Sequence, residues 1–169
     1  MKASFKDLPV IFLQPGEVFF SNKPVAVTTI LGSCLSITMY CKKTKQGGIS
    51  HCQLPYYKGV MNDSNSTELY KYVDSTFEKM LQSFRELNIE KEDLEIKMFG
   101  GGDVIATQHE RKNPKTIGRQ NIMAAIQSIE KYDLSVTTSD VGGKQGRKII
   151  FLANTGEIYL KRIKTHGKD

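Results

Sequence analysis

Apolar residues along the chain follow two different periods, and each period predicts a different kind of element. The segments VAVTTI, LSITMY and LEIKMF are short and rich in β-branched or aromatic residues, which is typical of β-strands. The segment TELYKYVDSTFEKMLQSFRELN instead repeats apolar residues every three or four positions. The same spacing follows Gly118, where Ile122, Ala125, Ile126 and Ile129 form a stripe. Both of these longer segments are therefore predicted to be amphipathic helices.

The C-terminal part of the chain predicts further strands. Residues Ser135 to Ser139 are predicted to form one, and RKIIFLANTGEIYLKRI predicts a β-hairpin that turns around Asn154-Thr155-Gly156. Strands and helices are segregated and do not strictly alternate. This order predicts an α+β fold with a mixed or antiparallel β core and two main helices packed on it.

Two local features complete the predicted organisation. The polar segment from Lys58 to Ser66 is the candidate for disorder, and Asn65 or Ser66 is expected to cap the first helix, which Asn88 is expected to end. No internal repeat or linker divides the sequence. A length of 169 residues therefore predicts a single domain covering residues 1–169.

The charge and the hydropathy of the chain limit its partners and its compartment. A net charge of +6 makes nucleic acid a partner to consider, but the basic residues are scattered and are not interleaved with aromatic stacking residues. We therefore expect no nucleic-acid partner. No apolar run approaches the roughly 20 residues of a membrane span, and MKASFKDLPVIFLQPG lacks a signal-peptide pattern. The sequence predicts a cytoplasmic protein without membrane insertion.

The three cysteines do not predict a disulfide framework or a metal centre. Their number is odd, which argues against paired disulfides. Cys34, Cys41, His51 and Cys52 offer four soft ligands, but their spacing matches no common zinc motif. We expect Cys41 and Cys52 to be small buried residues, and we expect neither a metal nor a cofactor. His109 and His166 are expected to be exposed.

Cys34 and His51 are the minimum parts of a thiol nucleophile with its own base. A free cysteine has a pKa of about 8.5, and a histidine within hydrogen-bond reach can leave a thiolate–imidazolium pair. Gly32 and Ser33 precede Cys34 in a tight turn, which can expose the thiol and direct backbone N–H groups at an oxyanion. Burial of Cys34 and His51 as ordinary core residues remains a competing interpretation of the pattern alone.

Two glycine loops follow predicted strands: Gly100, Gly101 and Gly102 in one, and Gly142 and Gly143 in the other. Neither loop matches a dinucleotide-binding or P-loop motif. We interpret them as tight turns at strand ends that flank the mouth of an active site.

Five blocks in order, ILGSC, GGISHCQLP, KMFGGGDV, TIGRQN and DVGGKQGRK, resemble the CheD family of chemoreceptor glutamine deamidases. The resemblance runs from about Val25 to Ile163. It implies a cysteine-hydrolase fold related to deamidating bacterial toxins and a Cys-His-Thr triad that needs no cofactor. Carried onto this chain, the nucleophile is Cys34, the base is His51 and the orienting residue is Thr28, which stands six residues before the cysteine.

The resemblance also implies partners. The substrate would be the cytoplasmic helices of chemoreceptors, whose glutamines are converted to glutamates through a thioester, with methylesterase activity as a conceivable side reaction. The alternative is a mainly non-catalytic regulatory partner of a CheC-like chemotaxis phosphatase. The family often has a phenylalanine on the surface implicated in that docking, where this chain has Ile105. Cys52, beside the predicted base, is also atypical of the family.

Overall fold

The computed structural model describes residues 5–60, 67–104, 107–113 and 115–164, with only the backbone of Arg111. Its strands and helices, in chain order, are β1 (Val10–Phe12), β2 (Val18–Ser21), β3 (Ala26–Leu31), β4 (Leu35–Cys41), β5 (Gln46–Ser50), α1 (Val73–Glu86), β6 (Leu94–Gly100), α2 (Gln108–Arg111), α3 (Ile117–Lys131), β7 (Thr138–Val141), β8 (Gly146–Leu152) and β9 (Ile158–Ile163). Short 3-10 turns cover Phe5–Asp7, Thr67–Lys71 and Lys91–Asp93.

The strands form two sheets. The first sheet has the order β1-β3-β8-β9 and the second has the order β2-β5-β4-β6-β7. The β1–β3 and β6–β7 pairs are parallel, whereas the other pairs are antiparallel. The predicted α+β class with a mixed β core and two main helices is confirmed.

Two apolar cores lie between three layers. An inter-sheet core joins the two sheets and includes Val27, Leu31, Ile49, Phe99 and Phe151. A sheet–helix core lies on the other side of the second sheet, where alternate residues of β4 pack with α1 and α3. Because successive strand residues point to opposite faces, β4 contributes Leu35, Ile37, Met39 and Cys41 to this core.

Most predicted elements are confirmed, with two shifts. The first long helix was predicted from about Thr67, but α1 begins at Val73, because Tyr72 is extended and the Val73 N–H donates to the Leu54 carbonyl. The strand predicted at Ser135–Ser139 lies instead at Thr138–Val141. Val136, inside the predicted range, packs against the sheet–helix core. Pairing with β6 begins only at Thr138.

Some predicted features lie outside the described residues. These are residues 61–66 of the polar segment, with the proposed caps Asn65 and Ser66, and Ile105 and His166. Asn88, predicted to end the first helix, lies just past it with a positive φ of 59°, a conformation that asparagine tolerates. The predicted C-terminal hairpin is confirmed as the antiparallel pair β8–β9.

Candidate active site

Cys34 lies where the chain crosses from the first sheet to the second. β3 ends at Leu31, Gly32 and Ser33 make the turn, and β4 begins at Leu35. The Cys34 side chain is half-buried and packs against the inter-sheet core. Its thiol is therefore neither an ordinary core residue nor fully solvated.

His51 reaches the same face from the neighbouring segment. Leu35 and Cys52 exchange backbone hydrogen bonds of 2.9 and 2.8 Å, which extends the β4–β5 register past the end of β5. Leu35 and Cys52 both face the sheet–helix core. By strand alternation, Cys34 and His51 project from the opposite face as diagonal neighbours, whose Cα atoms are typically about 7–8 Å apart.

The His51 imidazole is held by Thr29 of the first sheet, which is itself bonded to the Leu13 carbonyl just after β1. His51 is 3% exposed, and its Nδ1 lies 2.7 Å from the Thr29 hydroxyl oxygen. That hydroxyl donates its single hydrogen to the Leu13 carbonyl at 2.8 Å. Nδ1 therefore carries a proton and donates it to Thr29, which leaves the lone pair on Nε2. In this tautomer Nε2 is the ring nitrogen that can accept a proton.

The structure places Thr29, and not Thr28, against the imidazole. Thr28 does not contact the imidazole: its hydroxyl donates to the Ile149 carbonyl at 3.1 Å. Thr29 follows Thr28 in β3, and adjacent strand residues face opposite sides of a sheet. Thr29 shares its face with Val27 and Leu31 of the inter-sheet core, and His51 lies on that side.

Burial sets the charge of His51 and Cys34 in the free protein. It lowers the pKa of His51 to about 4, although the nearby Leu13 carbonyl and Glu17 partly oppose this shift. Burial also raises the pKa of Cys34, whose own backbone N–H acts in the opposite direction. Near neutral pH both groups are therefore uncharged. Burial thus disfavours a thiolate–imidazolium pair in the free protein.

The Nε2 atom of His51 has no hydrogen-bond partner among the described residues. The Cys34 thiol consequently does not yet hydrogen-bond to its base. Contacts of this kind are often long in free enzymes and tighten when the substrate binds.

The other two cysteines lie apart from this chemistry. Cys41 and Cys52 are buried at 1% and 0% exposure, as predicted, and both pack in the sheet–helix core. Burial raises the pKa of Cys52 to about 11, so its thiol is protonated. The candidate metal ligands are divided between opposite faces of the second sheet, and the described residues contain no cluster of three or more His, Cys, Asp or Glu side chains suited to a metal.

The first glycine loop packs directly against the Cys34 turn. The Gly101 N–H donates to the Cys34 carbonyl at 2.8 Å, and the Gly102 N–H donates to the Gly32 carbonyl at 2.9 Å. Gly100 has a φ of +105°, and a Cβ at this position would collide with the Cys34 carbonyl oxygen. Only glycine permits this approach of the two backbones.

The second glycine loop supports the first. The Gly142 N–H donates to the Gly100 carbonyl at 2.9 Å, and the Gly143 carbonyl accepts from the Asp103 N–H at 2.8 Å. Arg147 is 1% exposed and donates to the Gly142 carbonyl and to Asp140, each at 2.6 Å. Both loops predicted to flank a site therefore lie in one hydrogen-bonded layer beside the nucleophile turn.

A cleft of about 380 Å³ opens next to this layer. Ser33 lines it, together with Gly102, Asp103, Thr116 and Glu110. Its mixed apolar and polar walls carry charge, because Asp103 is ion-paired with Arg119 at 3.3 Å and accepts from the Thr116 hydroxyl at 2.8 Å. The cleft gives a solvent route to the residue that precedes the nucleophile.

Two residues of the site were missed from the sequence. The signal for Thr29 is its position two residues from Val27 and from Leu31, which places it on the same face of the strand as these apolar residues. Asn121 is fully buried on α3 and donates to the carbonyls of Ser33 and Gln53. Its signal was a polar residue at the spacing of an apolar helical stripe, four residues before Ala125. His109 is exposed as predicted, and it lies in the short helix α2.

Among the described residues, no helix is long and apolar enough to cross a membrane. Comparison with known proteins adds the family. A family model described as CheD chemotactic sensory transduction matches residues 53–162. This match begins two residues after His51, so the pair Cys34 and His51 lies outside it.

Full-length relatives cover the pair. "Probable chemoreceptor glutamine deamidase CheD 2" of Geobacter sulfurreducens is 37% identical over 163 residues, which is 96% of this chain and 96% of the relative. "Probable chemoreceptor glutamine deamidase CheD" of Maridesulfovibrio salexigens is 34% identical over 169 residues, 98% of this chain and 99% of the relative. A relative named "Probable chemoreceptor glutamine deamidase CheD 1" in Leptospira interrogans is 31% identical over 156 residues, 90% and 92% of the two chains.

Proposed function

The chain belongs to the CheD family, and on that premise we propose that it is a cytoplasmic amidohydrolase that converts specific chemoreceptor glutamines to glutamates. The relatives' names supply the substrate class. The observation that carries the chemistry is the buried Leu13–Thr29–His51 relay, which leaves the base nitrogen Nε2 on the same sheet face as Cys34.

The reaction begins from a neutral pair. As the substrate glutamine enters, Nε2 of His51 accepts the Cys34 proton while the sulfur attacks the carboxamide carbon. A base with a pKa lowered to about 4 is weak in the free protein. The developing imidazolium is stabilised by the Thr29 hydroxyl and the Leu13 carbonyl, so proton transfer is coupled to attack and does not precede it.

The tetrahedral intermediate then collapses. Its oxyanion accepts hydrogen bonds from backbone N–H groups at the Cys34 turn, and the His51 imidazolium gives its proton to the departing nitrogen. Ammonia leaves and a thioester links the substrate to Cys34. Water, deprotonated by His51, hydrolyses that thioester to glutamate and restores the thiol. The same steps would cleave a glutamyl methyl ester with methanol as the leaving group.

The cleft beside Ser33 is suited to the part of a receptor helix that flanks the target glutamine. No observation among the described residues favours the alternative of a purely regulatory partner of a CheC-like phosphatase. Ile105, on which that docking would depend, lies outside the described residues.

The test is a mass map of a purified chemoreceptor cytoplasmic fragment incubated with the protein. Conversion of NH₂ to OH at particular glutamines, with ammonia released in equal amount, is the expected result. Cys34→Ala removes the covalent route and should lower the rate by roughly 10³-fold or more. Cys41→Ala is the matched control, because Cys41 lies in the other core. Undiminished deamidation by Cys34→Ala would overturn the proposed mechanism.

A further inference from the structure

Asn121 connects α3 to both segments that carry the reacting groups. Its amide nitrogen donates to the Ser33 carbonyl at 2.9 Å and to the Gln53 carbonyl at 3.1 Å. Ser33 precedes the nucleophile, and Gln53 follows His51 by two residues and lies opposite Cys34 in the extended β4–β5 register. Asn121 is 0% exposed, so neither hydrogen bond is shared with solvent.

The orientation of this amide is determined by its surroundings. Two carbonyl oxygens converge on one end of the side chain, and a carbonyl accepts but cannot donate. The NH₂ group must occupy that end, because the opposite orientation would bring three acceptor oxygens together. Asn121 therefore donates both of its amide hydrogens to the Ser33 and Gln53 carbonyls beside Cys34.

The Ser33 carbonyl and the Cys34 N–H belong to one peptide unit. The structure has no cis peptide among the described residues, so these two groups point in opposite directions. A hydrogen bond that fixes the carbonyl also fixes the direction of the N–H. On the side away from Asn121, that N–H lies beside the Cys34 sulfur. The oxyanion formed when this sulfur attacks would lie within reach of the same N–H.

We propose that Asn121 is a positioning residue for the oxyanion site: it holds the Ser33–Cys34 peptide so that the Cys34 N–H points at the developing oxyanion. The hydrogen bond to the carbonyl also polarises the peptide and strengthens its N–H as a donor. This inference rests on the proposed thiol acyl-transfer chemistry. It assigns to α3 a role in the reaction and not only in packing.

The test compares two reactions of Cys34 that differ in whether they form an oxyanion. Acylation by p-nitrophenyl acetate passes through a tetrahedral oxyanion, whereas alkylation by iodoacetamide is a direct displacement without one. The Cys34-specific rates are obtained by subtracting those of Cys34→Ala. In Asn121→Leu, we expect acylation to fall by roughly 10²-fold, the effect of losing one oxyanion donor, while alkylation stays within about twofold.

A second variant guards against simple loss of fold. Asn121→Asp keeps the side-chain volume but offers no donor while ionised. Once protonated it regains one donor, so the ratio of acylation to alkylation should rise as the pH is lowered, in this variant alone. Circular dichroism checks that each variant is folded. Gln127→Leu is the control, because it removes an exposed amide of α3 that accepts from the Tyr56 hydroxyl.

Equal losses of acylation and alkylation would show that Asn121 acts only in folding. No loss of either rate would show that the oxyanion site does not need Asn121. Each of these results would overturn the inference. The outcome is separable from the proposed function. If the wild-type protein fails to deamidate receptor fragments but Asn121→Leu still loses acylation selectively, the proposed substrate is wrong and the positioning role stands.

Discussion

At the scale of single residues, the Thr29 hydroxyl determines which ring nitrogen of His51 is free to accept a proton. Its one hydrogen is committed to the Leu13 carbonyl, so it can only accept from Nδ1. The sequence contains two adjacent threonines, and the resemblance to the CheD family implied Thr28. The choice between them depends on which side of β3 faces the second sheet, and residue spacing from the nucleophile does not contain that information.

Substitution of the two threonines separates the assignments. Thr29→Val removes the acceptor for Nδ1–H and leaves the imidazole free to adopt the other tautomer. We expect it to lower the deamidation kcat by roughly 10²-fold or more, since positioned proton transfer contributes about 10²–10⁴-fold. Thr28→Val has the same change in volume and removes only the hydrogen bond to Ile149. Its kcat should fall far less, and the measurement is ammonia release under substrate saturation.

The opposite order of effects would return the orienting role to Thr28. Both valine variants should be compared at equal folded fraction, because each also removes a buried hydrogen bond worth about 1 kcal/mol. A loss that disappears when the folded fraction is matched would not support either residue as part of the site.

At the scale of elements, helix α3 and the first glycine loop act as one support for the nucleophile turn. Gly118, in the first turn of α3, lies so close to the loop that a Cβ there would be 2.5 Å from the Gly101 carbonyl oxygen. The Gly101 N–H in turn donates to the Cys34 carbonyl. The glycine is therefore required by the approach of helix to loop, although it weakens the helix.

Gly118→Ala tests this contact. Helix propensity alone would stabilise the variant by about 1 kcal/mol, but the overpacking should cost about 1–3 kcal/mol and displace α3 from the loop. We expect a net loss in the free energy of unfolding and a larger loss of deamidation. Met123→Ala, at a 49% exposed position of the same helix, is the control and should change stability by less than about 0.5 kcal/mol. Urea unfolding measures both, and a stabilised, fully active Gly118→Ala would contradict the close contact.

At the scale of the whole molecule, the site lies where the two sheets meet, and Arg147 joins them. Arg147 is on β8 of the first sheet, while Asp140 and Gly100 belong to β7 and β6 of the second. Its guanidinium donates to both residues, at 2.6 Å to Asp140 and 3.3 Å to the Gly100 carbonyl. A planar group with five donors can satisfy these acceptors together, which a lysine cannot.

Arg147→Met should lower the free energy of unfolding by about 3 kcal/mol, because it leaves one buried and two part-buried acceptors without their donor. Arg162→Met is a matched control. Arg162 bonds to the other oxygen of the same Asp140 carboxylate, but its side chain is 47% exposed. Exposed ion pairs contribute about 0–1 kcal/mol, so this variant should be nearly as stable as the wild type in urea unfolding. Equal losses in the two variants would argue against a buried inter-sheet clamp.

Most elements of this protein, and the candidates for its chemistry, can be predicted from consecutive residues. Local periodicity predicts β3, β4, β6, α3 and the β8–β9 hairpin because the apolar spacing of a strand or helix is written in consecutive residues. Cys34 and His51 were identified from residue type and from five ordered motifs. The buried positions of Cys41 and Cys52 followed from their apolar strand context.

Tertiary structure decided the relations between those parts. The packing of the two sheets decides which face of β3 meets His51, and thereby which tautomer the imidazole adopts. The same packing buries the imidazole and lowers its pKa. Asn121 reaches the Cys34 turn only because α3 folds back onto residues far from it in the sequence. Periodicity shows which residues of a segment are buried, but not which other segment they pack against. That packing partner sets the direction of the side chains' hydrogen bonds and the charge of their titratable groups.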